Sequence, residues 1–150
     1  MTAYRTIVVG TDGSDSSMKA VEKAGALAAG ADSKLVIACA YFPSDPRDVE
    51  SAADKLGEDA YQVRGAAPTY EILRTAKERA QAAGAHTVVE RSIVGAPVES
   101  LLGLVDEVEG DLLVVGNRGL NTLTGRLLGS VPSDVARKSD CDVLIVHTVR

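Results

Sequence analysis

Five short apolar runs alternate with stretches of helical spacing along the chain, and that alternation leaves few folds open. The runs occupy residues 5–10, 34–41, 87–94, 112–115 and 143–149. Between them, Ala20, Ala24, Leu27 and Ala31 recur at i, i+4, i+7 and i+11. Ile72, Ala76 and Ala80 share one face of a helix running from Pro68 to Ala83, and Val98, Leu101, Leu102 and Val105 repeat at i, i+3, i+4 and i+7. A fourth helix starts near Ser130, a candidate N-cap with Pro132 in the first turn. Five strands alternating with four helices imply an α/β protein with an open five-stranded parallel sheet and helices on both faces, a Rossmann-like arrangement. With strand order 3-2-1-4-5, the order reverses between strands one and four. Ligands of such sheets bind there, beyond the carboxyl ends of the strands.

At 150 residues the expectation is one domain spanning 1–150. With 45% hydrophobic residues that length buries a core without disulfides or metal. Residues 43–67, with Pro43, Pro46, Gly57 and Gly65, are the least regular stretch.

The most specific motif follows the fourth apolar run. Leu112-Leu113-Val114-Val115 is succeeded by Gly116-Asn117-Arg118-Gly119, then nine residues, then Gly129-Ser130. A buried strand that stops at a glycine-rich loop, with a helix beyond it, is a place to hold phosphate. Backbone N–H groups point into the loop, and glycines allow close approach. From Gly116 to Ser133 there are two arginines, Arg118 and Arg126, and no acid, although the chain carries a net charge of −5. Each arginine has two readings, a phosphate partner or a solvated surface charge. Ser130 would add a hydroxyl donor at the helix start.

Asp12 ends the first strand in Thr11-Asp12-Gly13-Ser14. Two readings stand for it: a carboxylate for a ribose hydroxyl or a metal beside phosphate, and an Asx turn before the helix. The predicted topology sets it across the crevice from the Gly116 loop, which favours the first. Asp15 fits helix-dipole complementation. His86 and His147 read as structural or surface residues.

The acidic balance argues against a nucleic-acid-binding face. Cys39 and Cys141 form no C-x-x-C pair and fit a reducing compartment. Cys39 reads as core, Cys141 as part of a polar turn. No apolar run reaches the length of a signal sequence or a bilayer span, so the expected location is the cytoplasm, with no membrane partner.

Assembled, these residues resemble the universal stress protein family over the whole chain. The likeness rests on Ile7-Val8-Val9-Gly10-Thr11-Asp12-Gly13-Ser14, on G-x2-G-x9-G-(S/T) from Gly116 to Ser130, and on the strand Asp142-Val143-Leu144-Ile145-Val146. The family's ATP-binding members carry that glycine motif. The resemblance implies that Thr11 and Asp12 line the adenosine and that Ala40 meets adenine through its main chain. It implies that Val115, Gly116, Arg118 and Gly119 wrap ribose and phosphate, and that Gly129, Ser130 and Val131 hold the outer phosphates. It also implies a homodimer through the last strand.

The function expected is adenine-nucleotide binding (ATP, or AMP or cAMP), with or without Mg2+, in a stress or regulatory protein with little or no hydrolysis. Phosphoryl transfer needs charge stabilisation and a placed nucleophile, and the loop offers no lysine and no evident base, so no catalytic residue is assigned. The alternative is a slow ATPase or nucleotidyl-transfer enzyme of the same fold. A response-regulator receiver lacks support, since the third strand ends Ile93-Val94-Gly95 without an aspartate. A flavodoxin lacks it too, with Asp12 and Asp15 in the first loop and few aromatic residues to stack on a flavin.

Overall fold

Aliphatic side chains at both odd and even positions of the central strands commit them to a sheet covered on both faces. The structure, a computed structural model, describes residues 3–42, 66–117 and 130–148. Among these the chain forms β1 (Thr6–Gly10), α1 (Asp15–Ala31), β2 (Lys34–Tyr41), α2 (Ala66–Ala82), β3 (Thr87–Val94), α3 (Pro97–Val108), β4 (Leu112–Gly116), α4 (Ser130–Lys138) and β5 (Asp142–Val146). The strand order is β3-β2-β1-β4-β5, as expected from the sequence. All pairs are parallel, with Ile7 opposite both Leu35 and Leu112, Lys34 opposite Thr87 and Leu112 opposite Asp142.

Period-two alternation sorts the core into two layers. Ile7, Val9, Leu35, Ile37, Leu112 and Val114 face α1 and α2, packing with Val21, Ala24, Leu73 and Ala76. Val8, Val36, Ala38, Leu113 and Val115 face the other way, against Leu101, Leu104 and Val105 of α3 and Val135 of α4. Helices α1 and α2 touch closely at Gly25, where an added Cβ would lie 2.8 Å from the Ala80 carbonyl oxygen. On β3 and α3, Arg91 pairs with Glu107, and that hydrogen bond and positive charge hold the Glu107 carboxyl below its ordinary range.

The sequence expectations need four adjustments. Leu27 is 36% exposed, and Ala28 takes its place in the buried stripe of α1. The stripe needs Val21, Ala24 and Ala28, and position 27 falls one residue off that face. Helix α2 begins at Ala66, with Pro68 inside its first turn, where a missing N–H costs nothing. Ser130 is the first residue of α4, so it is not the N-cap. Strand β5 stops at Val146, because Thr148 turns aside to bond Asn117. No helix among the described residues is long and apolar enough to cross a membrane.

Candidate functional site

At the strand-order reversal the β1–α1 turn stands on one side and the β4 exit on the other. The first wall is built from hydroxyls and one carboxylate. The Thr11 backbone N–H donates to the Ala38 carbonyl at 2.9 Å, tying the β1 exit to β2. Its hydroxyl lies 2.8 Å from the Ser17 hydroxyl and accepts the Gly13 N–H at 3.1 Å. Asp12 Oδ1 accepts the Ser14 N–H at 2.9 Å, so the Asx turn is formed. Its Oδ2 has no hydrogen-bond partner among the described residues. Gly13 sits at φ +87, a backbone region glycine enters without strain, under the side chain of Ile72 from α2. Ser14 caps α1: its hydroxyl accepts the Ser17 N–H at 3.1 Å. Asp15 lies in the first turn of α1, where its charge suits the helix N-terminus.

The second wall is Val115-Gly116-Asn117. Val115 is buried and packs on the α3–α4 face. Gly116 is buried between α1 and the end of the chain. A Cβ built on it would lie 3.3 Å from Ser16 Oγ, 3.4 Å from the Ser16 carbonyl and 3.5 Å from Thr148 Cγ2. Asn117 is 4% exposed, its N–H donating to the Val146 carbonyl at 2.9 Å. Its Oδ1 accepts both the N–H and the hydroxyl of Thr148, at 2.9 and 2.8 Å. That amide orientation leaves Nδ2 as the donor toward His147 Nδ1 at 3.4 Å. The Thr148 hydroxyl also meets Ser16 Oγ, and its carbonyl accepts from Lys19 Nζ at 3.2 Å.

Ala40, half-buried, lies near the β2 exit beside Cys39. Cys39 is buried, as expected. Desolvation, and then the Asp12 carboxylate, push its thiol up to about 12. Cys141 sits in a polar turn before β5, its N–H bonded to the Ser139 hydroxyl. Ser130 is exposed and Val131 half-buried in the first turn of α4, which leaves backbone N–H groups unpaired within the helix. Arg118, Gly119, Arg126 and Gly129 lie outside the described residues. Among those described, no group of three or more His, Cys, Asp or Glu is placed to hold a metal ion.

Sequence reasoning missed Asn117, Thr148, Ser16 and Lys19. A polar residue directly after an all-apolar strand was the one available signal for Asn117. Thr148 gave none, because its partner is 31 positions away.

The fold is that of a doubly wound α/β protein whose strand order reverses between β1 and β4, the place where sheets of this kind bind ligands. The sequence profile of the universal stress protein family matches residues 3–147. The chain is 61% identical over 148 residues to the universal stress protein Rv1636 of Mycobacterium tuberculosis H37Rv, covering 99% of both. It superposes on the crystal structure of that protein with a TM-score of 0.62 over 99% of each chain, at 54% identity by the structural alignment. A crystal structure of a universal stress protein in complex with cAMP is similar with a TM-score of 0.76 and 54% identity, covering 99% of this chain and 100% of that one. UspA of Lactobacillus plantarum, at 21% identity, shares the fold with a TM-score of 0.76. The chain belongs to the universal stress protein family.

Proposed function

We propose that this protein binds an adenine nucleotide in the β1/β4 crevice and acts as a regulator with little or no hydrolysis. The observation that carries the reading is the glycine motif beginning at Gly116, where β4 ends at the strand-order reversal. The likeness to a relative solved with cAMP supports it. A nucleotide fits what the residues offer: a β4 exit with no side chain at Gly116, and a β1 turn presenting the second oxygen of Asp12.

In this reading Thr11 and Asp12 face the ribose and Ala40 meets the base through its main chain. Val115, Gly116, Arg118 and Gly119 follow the ribose and first phosphate. Gly129, Ser130 and Val131 donate to the outer phosphates through the helix start. Should Mg2+ accompany the phosphates, Asp12 supplies its one protein carboxylate, and water and phosphate oxygens the rest. The protein works as a single domain in the cytoplasm and dimerises through β5.

Two experiments decide. Mass spectrometry of the supernatant after denaturing freshly purified protein identifies any nucleotide carried along, and competition among ATP, AMP, cAMP and GTP ranks them. The β2 exit offers main-chain groups rather than an acid suited to guanine, so an adenine nucleotide is expected to bind most tightly. GTP as the tightest ligand overturns the reading. Steady turnover of ATP with Mg2+ favours the enzymatic alternative.

A further inference from the structure

The two walls of the crevice are joined by a residue beyond the last strand. Thr148 is 6% exposed and is held from two elements, the β4 exit and α1. Its N–H and hydroxyl both donate to Asn117 Oδ1 at the β4 exit. Its hydroxyl contacts Ser16 Oγ in the first turn of α1, and its carbonyl accepts from Lys19 one turn on. Its Cγ2 methyl lies against Gly116. The start of α1, which follows the β1 turn directly, and the β4 exit are therefore cross-linked through the segment after β5, not only through the sheet.

Asn117 is the hinge of this clasp. Its backbone N–H extends the ladder to Val146, while its side chain accepts from Thr148. Both orient the peptide after Gly116, the first glycine of the motif. A carboxamide oxygen that accepts two donors in a nearly dry site has little freedom to rotate. Ser17 and Ser14 brace the facing wall independently, through the Thr11 hydroxyl and the α1 cap.

We propose that Asn117 and Thr148 are positioning residues that hold the two walls at the spacing a nucleotide needs, making the segment after β5 a determinant of affinity. The inference rests on the nucleotide-binding reading above. A ligand that must touch both walls gains affinity when their separation is fixed beforehand, because the cost of ordering them is already met.

The test uses the full chain, with cAMP and ATP as probes in calorimetry. Thr148→Val keeps the shape and the backbone bond to Asn117 and removes only the hydroxyl, so it is expected to weaken binding about three- to ten-fold. Thr148→Ser, which keeps the hydroxyl, is expected to restore most of the loss. Asp111→Ala serves as control. Asp111 holds the Arg5 and Thr6 N–H groups at the opposite end of the sheet, so its loss should lower stability and leave affinity alone. Wild-type affinity in folded Thr148→Val, or an equal loss of affinity in Asp111→Ala, overturns the clasp. A wild type that binds no adenine nucleotide is a different result and refutes the nucleotide reading itself, and the clasp with it.

Discussion

Asp12 Oδ1 accepts the backbone N–H of Ser14 at 2.9 Å, so the carboxylate builds the turn it stands on. The Asx turn expected from the sequence is formed by one oxygen, and the other makes no hydrogen bond with a described residue. The proposed ligand role falls to that second oxygen.

Substitution can separate those roles. Asp12→Asn retains the acceptor for Ser14 and is expected to keep near-native stability. Asp12→Ala loses it and should cost about 1 kcal/mol. Both lower nucleotide affinity, because neither offers a charged acceptor to a ribose hydroxyl or a metal. Paired denaturation and calorimetry check this; full affinity in Asp12→Asn would leave Asp12 a turn residue only.

Gly116 is a position where a side chain would press on both α1 and Thr148. Its built Cβ meets Ser16 and Thr148 at 3.3 to 3.5 Å before any further atom is added. Gly116→Val should therefore push the β4 exit away from α1 and weaken adenine-nucleotide binding more than about ten-fold, or 1.4 kcal/mol. Circular dichroism confirms that the variant folds, and calorimetry reads the affinity. Unchanged affinity in a folded variant would remove the β4 exit from the site.

Strand order and the two-layer core were legible because each strand is short, aliphatic and followed by a helical period. Leu112 to Val115 could hardly be anything but a buried strand. The motif at Gly116 and the turn at Asp12 were legible too, since both are local patterns. The Asn117–Thr148 clasp was not, because it joins residues that no period or spacing relates. Leu27 misled for a similar reason: an apolar residue beside a good stripe looks buried until the helix face is fixed. Ser130 carried a capping signal, yet the helix starts on it.

That placement sharpens what Ser130→Ala should do. An N-cap serine replaced by alanine costs about 0.5–2 kcal/mol of stability. Ser130 is instead the first helical residue and is exposed, so stability should change little. Affinity should fall by about 0.5–1.5 kcal/mol, and more where the acceptor is a charged phosphate oxygen. A stability loss without a binding loss would return Ser130 to a structural role.

Strand β5 pairs with β4 on one side and lies at the edge of the sheet. Val143, Leu144, Ile145 and Val146 stay only half-buried in the single chain. An apolar edge of this kind invites a second copy by a two-fold axis. Light scattering is expected to give about twice the 15.6 kDa chain mass. Val143→Lys, placing a charge on that edge, should shift the equilibrium toward monomer. A wild type that is monomeric at micromolar concentration refutes the dimer.

Cys39 gives a prediction about alkaline stability. None of its surface is exposed, and burial, reinforced by Asp12, raises its thiol from an ordinary 9.0 to about 12. Below pH 9 the thiol keeps its proton whether the chain is folded or not, and its contribution to stability is complete. Between 9 and 12 the unfolded chain releases that proton while the folded chain retains it. The unfolded state then binds fewer protons, so stability falls as pH rises through this window, by about 1.4 kcal/mol per unit. Cys39→Ala removes the titration at the cost of a small cavity. The variant should be the less stable protein near neutrality and should lose less stability on going above pH 9. Urea denaturation of both proteins across that range measures the two slopes; equal slopes would mean that the native thiol ionises as readily as the unfolded one.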